Sequence, residues 1–98
     1  MKKIAFLAAL VAATSFHANA FDVDTKYQQS CGICHSMGVA GAPKAFDEAA
    51  WAPRLALGMD ALVSSVKNGK NAMPPKGLCN DCTDDQYKAL ITHMATSK

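Results

Sequence analysis

Two cysteines separated by two residues and followed at once by a histidine, Cys31-Gly32-Ile33-Cys34-His35, carry the densest chemistry in the chain. Thiols at that spacing can meet the two vinyl groups of one haem and bond to it as thioethers, which holds the adjacent histidine beneath the iron. The run is the attachment signature of a c-type haem. It implies one covalent haem c carried by Cys31 and Cys34, with His35 as an axial ligand. Read instead as a disulfide or as half of a zinc site, the same CxxC leaves His35 without a role.

An iron held by His35 has a second face, and its occupant decides the chemistry. Met73 sits in Asn71-Ala72-Met73-Pro74-Pro75. Two prolines fix φ and lack N–H donors, so this segment is expected to be a stiff, extended loop. Core packing explains a methionine there poorly. Presentation of a soft thioether to iron explains it well, and Met/His ligation is a known c-type pattern. Met37, two residues beyond His35, has at most about 7 Å of backbone with which to reach the opposite face. Met94 falls on an apolar helical stripe, and His93 beside that stripe is expected to be an ordinary surface histidine. Met59, at the start of an expected helix, is the one competitor.

Cys79-Asn80-Asp81-Cys82 is a second CxxC, and Thr83 stands where a second haem would need its histidine. This pair can close a disulfide or act as a dithiol. A catalytic dithiol of the thioredoxin type expects a surrounding βαβ pattern that the chain lacks. A four-thiolate zinc ribbon expects an inner spacing of about 15–20 residues. Here 44 residues separate Cys34 from Cys79.

Export fits this chemistry. Lys2 and Lys3 precede an uncharged apolar run from Ile4 to Ala13, and Ala18-Asn19-Ala20 offers small residues for cleavage. Residues 1–20 therefore read as a secretory signal, with the mature chain starting at Phe21. The apolar run is shorter than the ~20 residues that span a bilayer, so no stable membrane insertion is expected after cleavage. Taking 20 residues, two of them lysine, from a 98-residue chain with ten basic and eight acidic residues leaves 78 residues with eight of each sign. A neutral balance gives no footprint for nucleic acid. A single domain of this size has a thin core, and a haem would supply a large apolar body on which to build one.

The elements that must position these groups read as helices. Asp22 or Asp24 is expected to cap a first helix from about residue 25 to Gly32, with Tyr27 on its apolar side. Gly38, Gly41 and Pro43 mark a loop. Asp47 opens a short helix ending near Ala52 with Trp51 inward, and Pro53 is placed in the first turn of a new one. Asp60 is expected to cap a further helix carrying Leu62, Val63 and Val66 and ending at Gly69. Thr83-Asp84-Asp85-Gln86 is a capping box, after which Tyr87, Leu90, Ile91 and Met94 recur at helical spacing. No stretch alternates with a period of two, so the class is all-α.

Taken together, Cys31 to His35, Trp51-Ala52-Pro53-Arg54, Met73-Pro74-Pro75-Lys76-Gly77 and Cys79-Asn80-Asp81-Cys82 resemble the class I c-type cytochromes, and specifically the cytochrome c5 family. The resemblance spans nearly all of residues 21–98. It implies a compact fold of about four helices, one per periodic segment, wrapped around one haem. It also implies a Cys79–Cys82 disulfide, a Pro43 carbonyl accepting from His35 Nδ1–H, and Trp51 and Arg54 in the haem surroundings, with Arg54 near a propionate. The implied role is a soluble periplasmic one-electron carrier, not an enzyme. It would meet membrane respiratory complexes or soluble reductases in transient complexes. The competing reading is a five-coordinate haem sensor or small haem enzyme, which needs Met73 to be off the iron.

Overall fold

The computed structural model describes residues 21–98. The expected export signal and its cleavage site lie outside the described residues. Asp22 caps helix α1 (Val23–Gln29): its carboxylate accepts from the Asp24 amide at 3.2 Å and the Thr25 hydroxyl at 2.9 Å. The helix begins earlier than its sequence suggests and stops three residues sooner. At Ser30 the backbone leaves the helical region, and the Ser30 hydroxyl takes the Lys26 carbonyl at 2.6 Å. The chain then starts a separate single turn, α2 (Gly32–His35). Gly32 permits this fold-back, because a Cβ there would lie 3.0 Å from the Tyr27 carbonyl and 3.1 Å from its ring.

A short 3-10 turn (Val39–Gly41) leads to α3 (Glu48–Leu55), capped by the Asp47 carboxylate on the Ala50 amide. Helix α3 does not break before Pro53 as expected; Pro53 lies inside it. The carbonyl that Pro53 leaves without a donor is that of Ala49. Both residues face solvent, so water can satisfy that group and the helix continues. Helix α4 (Met59–Asn68) is capped by Gly58 at φ 98°, and Asp60 lies in its first turn instead of at the cap. A positive φ at the entry is glycine's province, and the Asp60 charge still suits the helix dipole. Leu62 and Val63 are buried, and Gly69 ends α4 as expected.

A second 3-10 turn (Pro75–Leu78) packs against α4 and precedes α5 (Asp84–Ala95). Both bonds of the capping box form, Gln86 N–H to Thr83 Oγ1 at 3.2 Å and Thr83 N–H to Gln86 Oε1 at 2.9 Å. Tyr87, Leu90, Ile91 and Met94 are buried where α5 meets α1 and α4. The fold is all-α, and the described residues hold no strand beyond an isolated bridge between Lys70 and Met73.

His93 differs from its expected surface role. Its ring is half-buried, edge-on to Tyr27 and Phe46 at 5.3 Å each, with Asp24 at 3.4 Å from Nε2. Phe46 lies 47 residues away in sequence, so local periodicity cannot reveal the contact.

Cys79 and Cys82 form a disulfide with their Cα atoms 5.5 Å apart. The buried Tyr87 hydroxyl donates to the Cys79 carbonyl at 2.7 Å, tying this turn to α5. Tyr87→Phe is expected to destabilise the fold by about 0.5–1.5 kcal/mol, because the Cys79 carbonyl loses its shorter bond and keeps only that from the Cys82 amide at 3.3 Å. A lower denaturant midpoint with unchanged slope checks this.

Candidate functional site

In α2 and the residue before it, helical spacing puts Cys31, Cys34 and His35 on one side of a single turn. The His35 amide donates to the Cys31 carbonyl at 2.9 Å and closes that turn. Cys31 and Cys34 are half-buried free thiols, and burial pushes the Cys31 thiol above its ordinary pKa. Ser30 Oγ approaches Cys31 Sγ at 3.6 Å. His35 is 7 % exposed, and its Nδ1 lies 2.8 Å from the Pro43 carbonyl. A carbonyl only accepts, so Nδ1 carries the proton and the Nε2 lone pair is left for a metal.

The Met73 loop lines the same cleft as these residues. Lys70 and Met73 exchange both backbone bonds, at 3.0 and 2.8 Å, with Asn71 at φ 54° between them. After Pro74 the chain holds Lys76, Gly77 and Leu78 all at positive φ. Left-handed backbone costs roughly 1–2 kcal/mol at each non-glycine residue, so this segment is held by its surroundings. Gly77 is buried, and a Cβ there would come within 2.9 Å of Met73 Cε.

That cleft has a volume of about 810 Å³, its open mouth included. Cys31, Cys34, His35, Pro43, Arg54 and Met73 all line it. Met37 is 77 % exposed, Met94 is buried in the core and Met59 packs at the core's edge. Of the methionines in the described residues, only Met73 lines the cleft. Arg54 is half-buried, with Nη1 on the Ala50 carbonyl at 2.7 Å. Trp51 is not in the cleft wall; it stands behind the His35 ring, centroids 5.6 Å apart. Cys79 and Cys82 lie outside the cleft.

Sequence reasoning passed over Ser30, 2 % exposed and lining the cleft beside Cys31, and over Gly77, whose lack of a side chain leaves room for the Met73 methyl. Position next to a haem cysteine was the only available signal for Ser30. The donor set fits a c-type haem: two thiols on one turn, an imidazole with its outer nitrogen already bonded, a thioether lining the same largely apolar cleft, and a guanidinium for the haem carboxylates.

A cleft of this kind, with thiols and imidazole on one turn and a methionine loop also lining it, defines a helical haem c protein. Residues 18–94 match the family described as cytochrome C oxidase, cbb3-type, subunit III. Cytochrome c5 of Azotobacter vinelandii is 47% identical over 76 residues, 76% of this chain and 88% of that protein. Among solved structures, a mono-heme ferrocytochrome c from Shewanella putrefaciens is 57% identical, with TM-score 0.71, covering 83% of this chain and 100% of the other. A cytochrome c in an electron transfer complex with nitrite reductase is 43% identical with TM-score 0.67, covering 74% of this chain and 88% of that one. The chain belongs to the class I c-type cytochromes and, within them, to the cytochrome c5 family. It carries one covalently attached haem c and serves electron transfer.

Proposed function

We propose that the mature chain, from Phe21, is a periplasmic one-electron carrier whose haem is bonded by Cys31 and Cys34 and whose iron is ligated by His35 Nε2 and the Met73 sulfur. The observation that supports this is that His35 and Met73 line one cleft together with both thiols. The haem, when bound, supplies an iron that accepts and releases one electron.

The protein's own residues do the rest. The Pro43 carbonyl fixes the His35 tautomer. Met73 would offer its sulfur to the iron, and a soft thioether favours the ferrous state. The Lys70–Met73 hairpin and the Pro74-Pro75 pair keep that sulfur in one place through both oxidation states, so little rearranges when an electron moves. Arg54, which lines the cleft, would balance the haem carboxylates. Residues 1–20 direct the chain to the periplasm, where the Cys79–Cys82 bond is stable. The role is carriage, not catalysis.

The experiment is addition of carbon monoxide to the purified ferrous protein at neutral pH. A spectrum that stays unchanged supports the closed, six-coordinate site. Fast, tight binding contradicts it and favours a sensor or small haem enzyme. Gly77→Ala is expected to push the Met73 methyl aside, and carbon monoxide binding should then become measurable.

Electron carriers meet partners briefly, through small contacts. A related cytochrome c forms a complex with nitrite reductase, and we assign this chain comparable partners, soluble reductases or membrane respiratory complexes. Among the described residues, Lys26, Lys67 and Lys88 lie within ion-pair distance of Asp81, Asp84 and Asp60. Lys44, Lys70 and Lys76 are exposed and face no carboxylate at that distance; Lys70 lines the cleft, and Lys44 and Lys76 adjoin the lining residues Pro43 and Gly77 in sequence. Reversing Lys70 or Lys76 to glutamate is expected to slow reduction or oxidation by an acidic partner at low salt and to flatten the salt dependence. A rate independent of ionic strength in both proteins would remove electrostatic steering from the picture.

A further inference from the structure

Trp51 is 4 % exposed, and its indole faces the His35 ring at 5.6 Å with 32° between the planes. Its Nε1–H does not point to the cleft; it donates to the Lys44 carbonyl at 3.0 Å. The peptide unit that owns this carbonyl also owns the Ala45 N–H, which donates to the His35 carbonyl at 2.7 Å. One residue earlier, the Pro43 carbonyl accepts from the His35 ring at 2.8 Å. The Lys44–Ala45 peptide is thus pinned at both ends, its oxygen by Trp51 and, at 3.3 Å, by the Asp47 amide, and its N–H by His35. The adjoining Pro43 carbonyl is aimed at the imidazole. Only φ and ψ of Lys44 separate the pinned peptide from the planar unit that carries the Pro43 carbonyl.

We infer that Trp51 is a positioning residue for the imidazole ligand: its indole N–H holds the Lys44–Ala45 peptide, and through it the Pro43 carbonyl on His35 Nδ1–H, and so helps to set the haem potential. The inference rests on His35 being the iron ligand. A carbonyl bonded at Nδ1 raises the basicity of Nε2, which favours the more highly charged ferric state and lowers the potential. Without the indole N–H the Lys44 carbonyl keeps only the longer bond from the Asp47 amide, at 3.3 Å, the peptide can turn, and the Pro43 bond loosens. The potential then rises. The helix carrying Trp51 is held by other means, the Asp47 cap and its own ladder, so the effect is separable from folding.

Trp51 is the only tryptophan in the chain, so growth on β-(3-benzothienyl)alanine replaces this one N–H with sulfur and preserves the ring's size. In the resulting holoprotein the reduction potential is expected to rise. Exchange of His35 Nδ1–H with deuterated solvent, followed by NMR, is expected to quicken by roughly tenfold, the loss of about one hydrogen bond's protection. Trp51→Phe, which keeps an aromatic face without the N–H, should move both readouts the same way. If exchange keeps its original rate in the substituted protein, Trp51 serves only in packing and the inference is overturned, whatever the potential does; an unmoved potential overturns it equally. The unsubstituted protein supplies the separate check. Its His35 ring protons must show the strong ring-current shift of a haem ligand, and if they do not, the ligand assignment itself fails.

Discussion

Met73→Ala is expected to lower the reduction potential by on the order of 0.1–0.3 V, within the roughly 0.8 V over which axial ligands tune haem iron. A thioether is a weak, soft ligand that stabilises ferrous iron relative to ferric, and alanine offers nothing in its place. Water and exogenous ligands then reach the iron from the Met73 side of the cleft, so carbon monoxide binding should appear together with the fall in potential. The matched control is Met59→Leu. Met59 packs at the edge of the core and does not line the cleft, so this volume-conserving exchange should leave the potential where it was and cost under about 1.5 kcal/mol of stability. Spectroelectrochemical titration of the two variants beside the parent separates the outcomes.

Removing both thioether attachments, with Cys31→Ala and Cys34→Ala together, is the second large effect. The buried side chains concentrate where α5 meets α1 and α4: Tyr27, Leu62, Val63, Tyr87, Leu90, Ile91 and Met94. The residues lining the cleft border about 810 Å³ of space, its open mouth included. In the proposed arrangement a haem bonded to Cys31 and Cys34 and ligated by His35 and Met73 would join them. Without the covalent bonds the haem is held only by ligation and burial, and dilution can remove it. The variant is expected to lose most of the roughly 5–15 kcal/mol that a folded domain of ordinary stability has, and its stability should become dependent on added haem. Denaturant melts at two haem concentrations, with an acid–organic extraction that frees the colour from the chain, check both parts.

The sequence signals that proved reliable are those whose physics is local. The capping box at Thr83 and Gln86, the Asp22 and Asp47 caps and the Gly69 stop each involve residues within a few positions of one another, and each appears in the fold. The helical spacing of Tyr87, Leu90, Ile91 and Met94 is likewise a local pattern, and those four side chains are buried. Signals that misled were local rules overridden by the environment. Pro53 should break a helix, yet its stranded carbonyl faces solvent and the helix runs through it. Nothing in the sequence before Gly32 marks the break at Ser30, because that break depends on how the Tyr27 ring meets a glycine five residues on.

The site divides in the same way. Cys31, Cys34 and His35 are legible because one helical turn holds them and the motif is short. Met73 was legible through two prolines that made core packing a poor explanation. Arg54 and Pro43 entered only by resemblance, and both line the cleft. Trp51 could be read as inward-facing, but not as bonded through Nε1 to a loop carbonyl seven residues earlier. The half-buried position of His93 against Phe46 is equally non-local. Contacts of this kind are created by the chain's return on itself, which no pattern along the sequence records.

The most direct test of an iron held between His35 and Met73 is an NMR spectrum of the ferrous holoprotein with its methionine methyl groups labelled with carbon-13. A methyl seated on the iron's axial position lies over the centre of the haem ring current and is driven far upfield from the others. The expected result is one such signal, absent in Met73→Ala, with Met37, Met59 and Met94 near their ordinary positions. A spectrum with no displaced methyl, or with the displaced signal surviving in Met73→Ala, contradicts it.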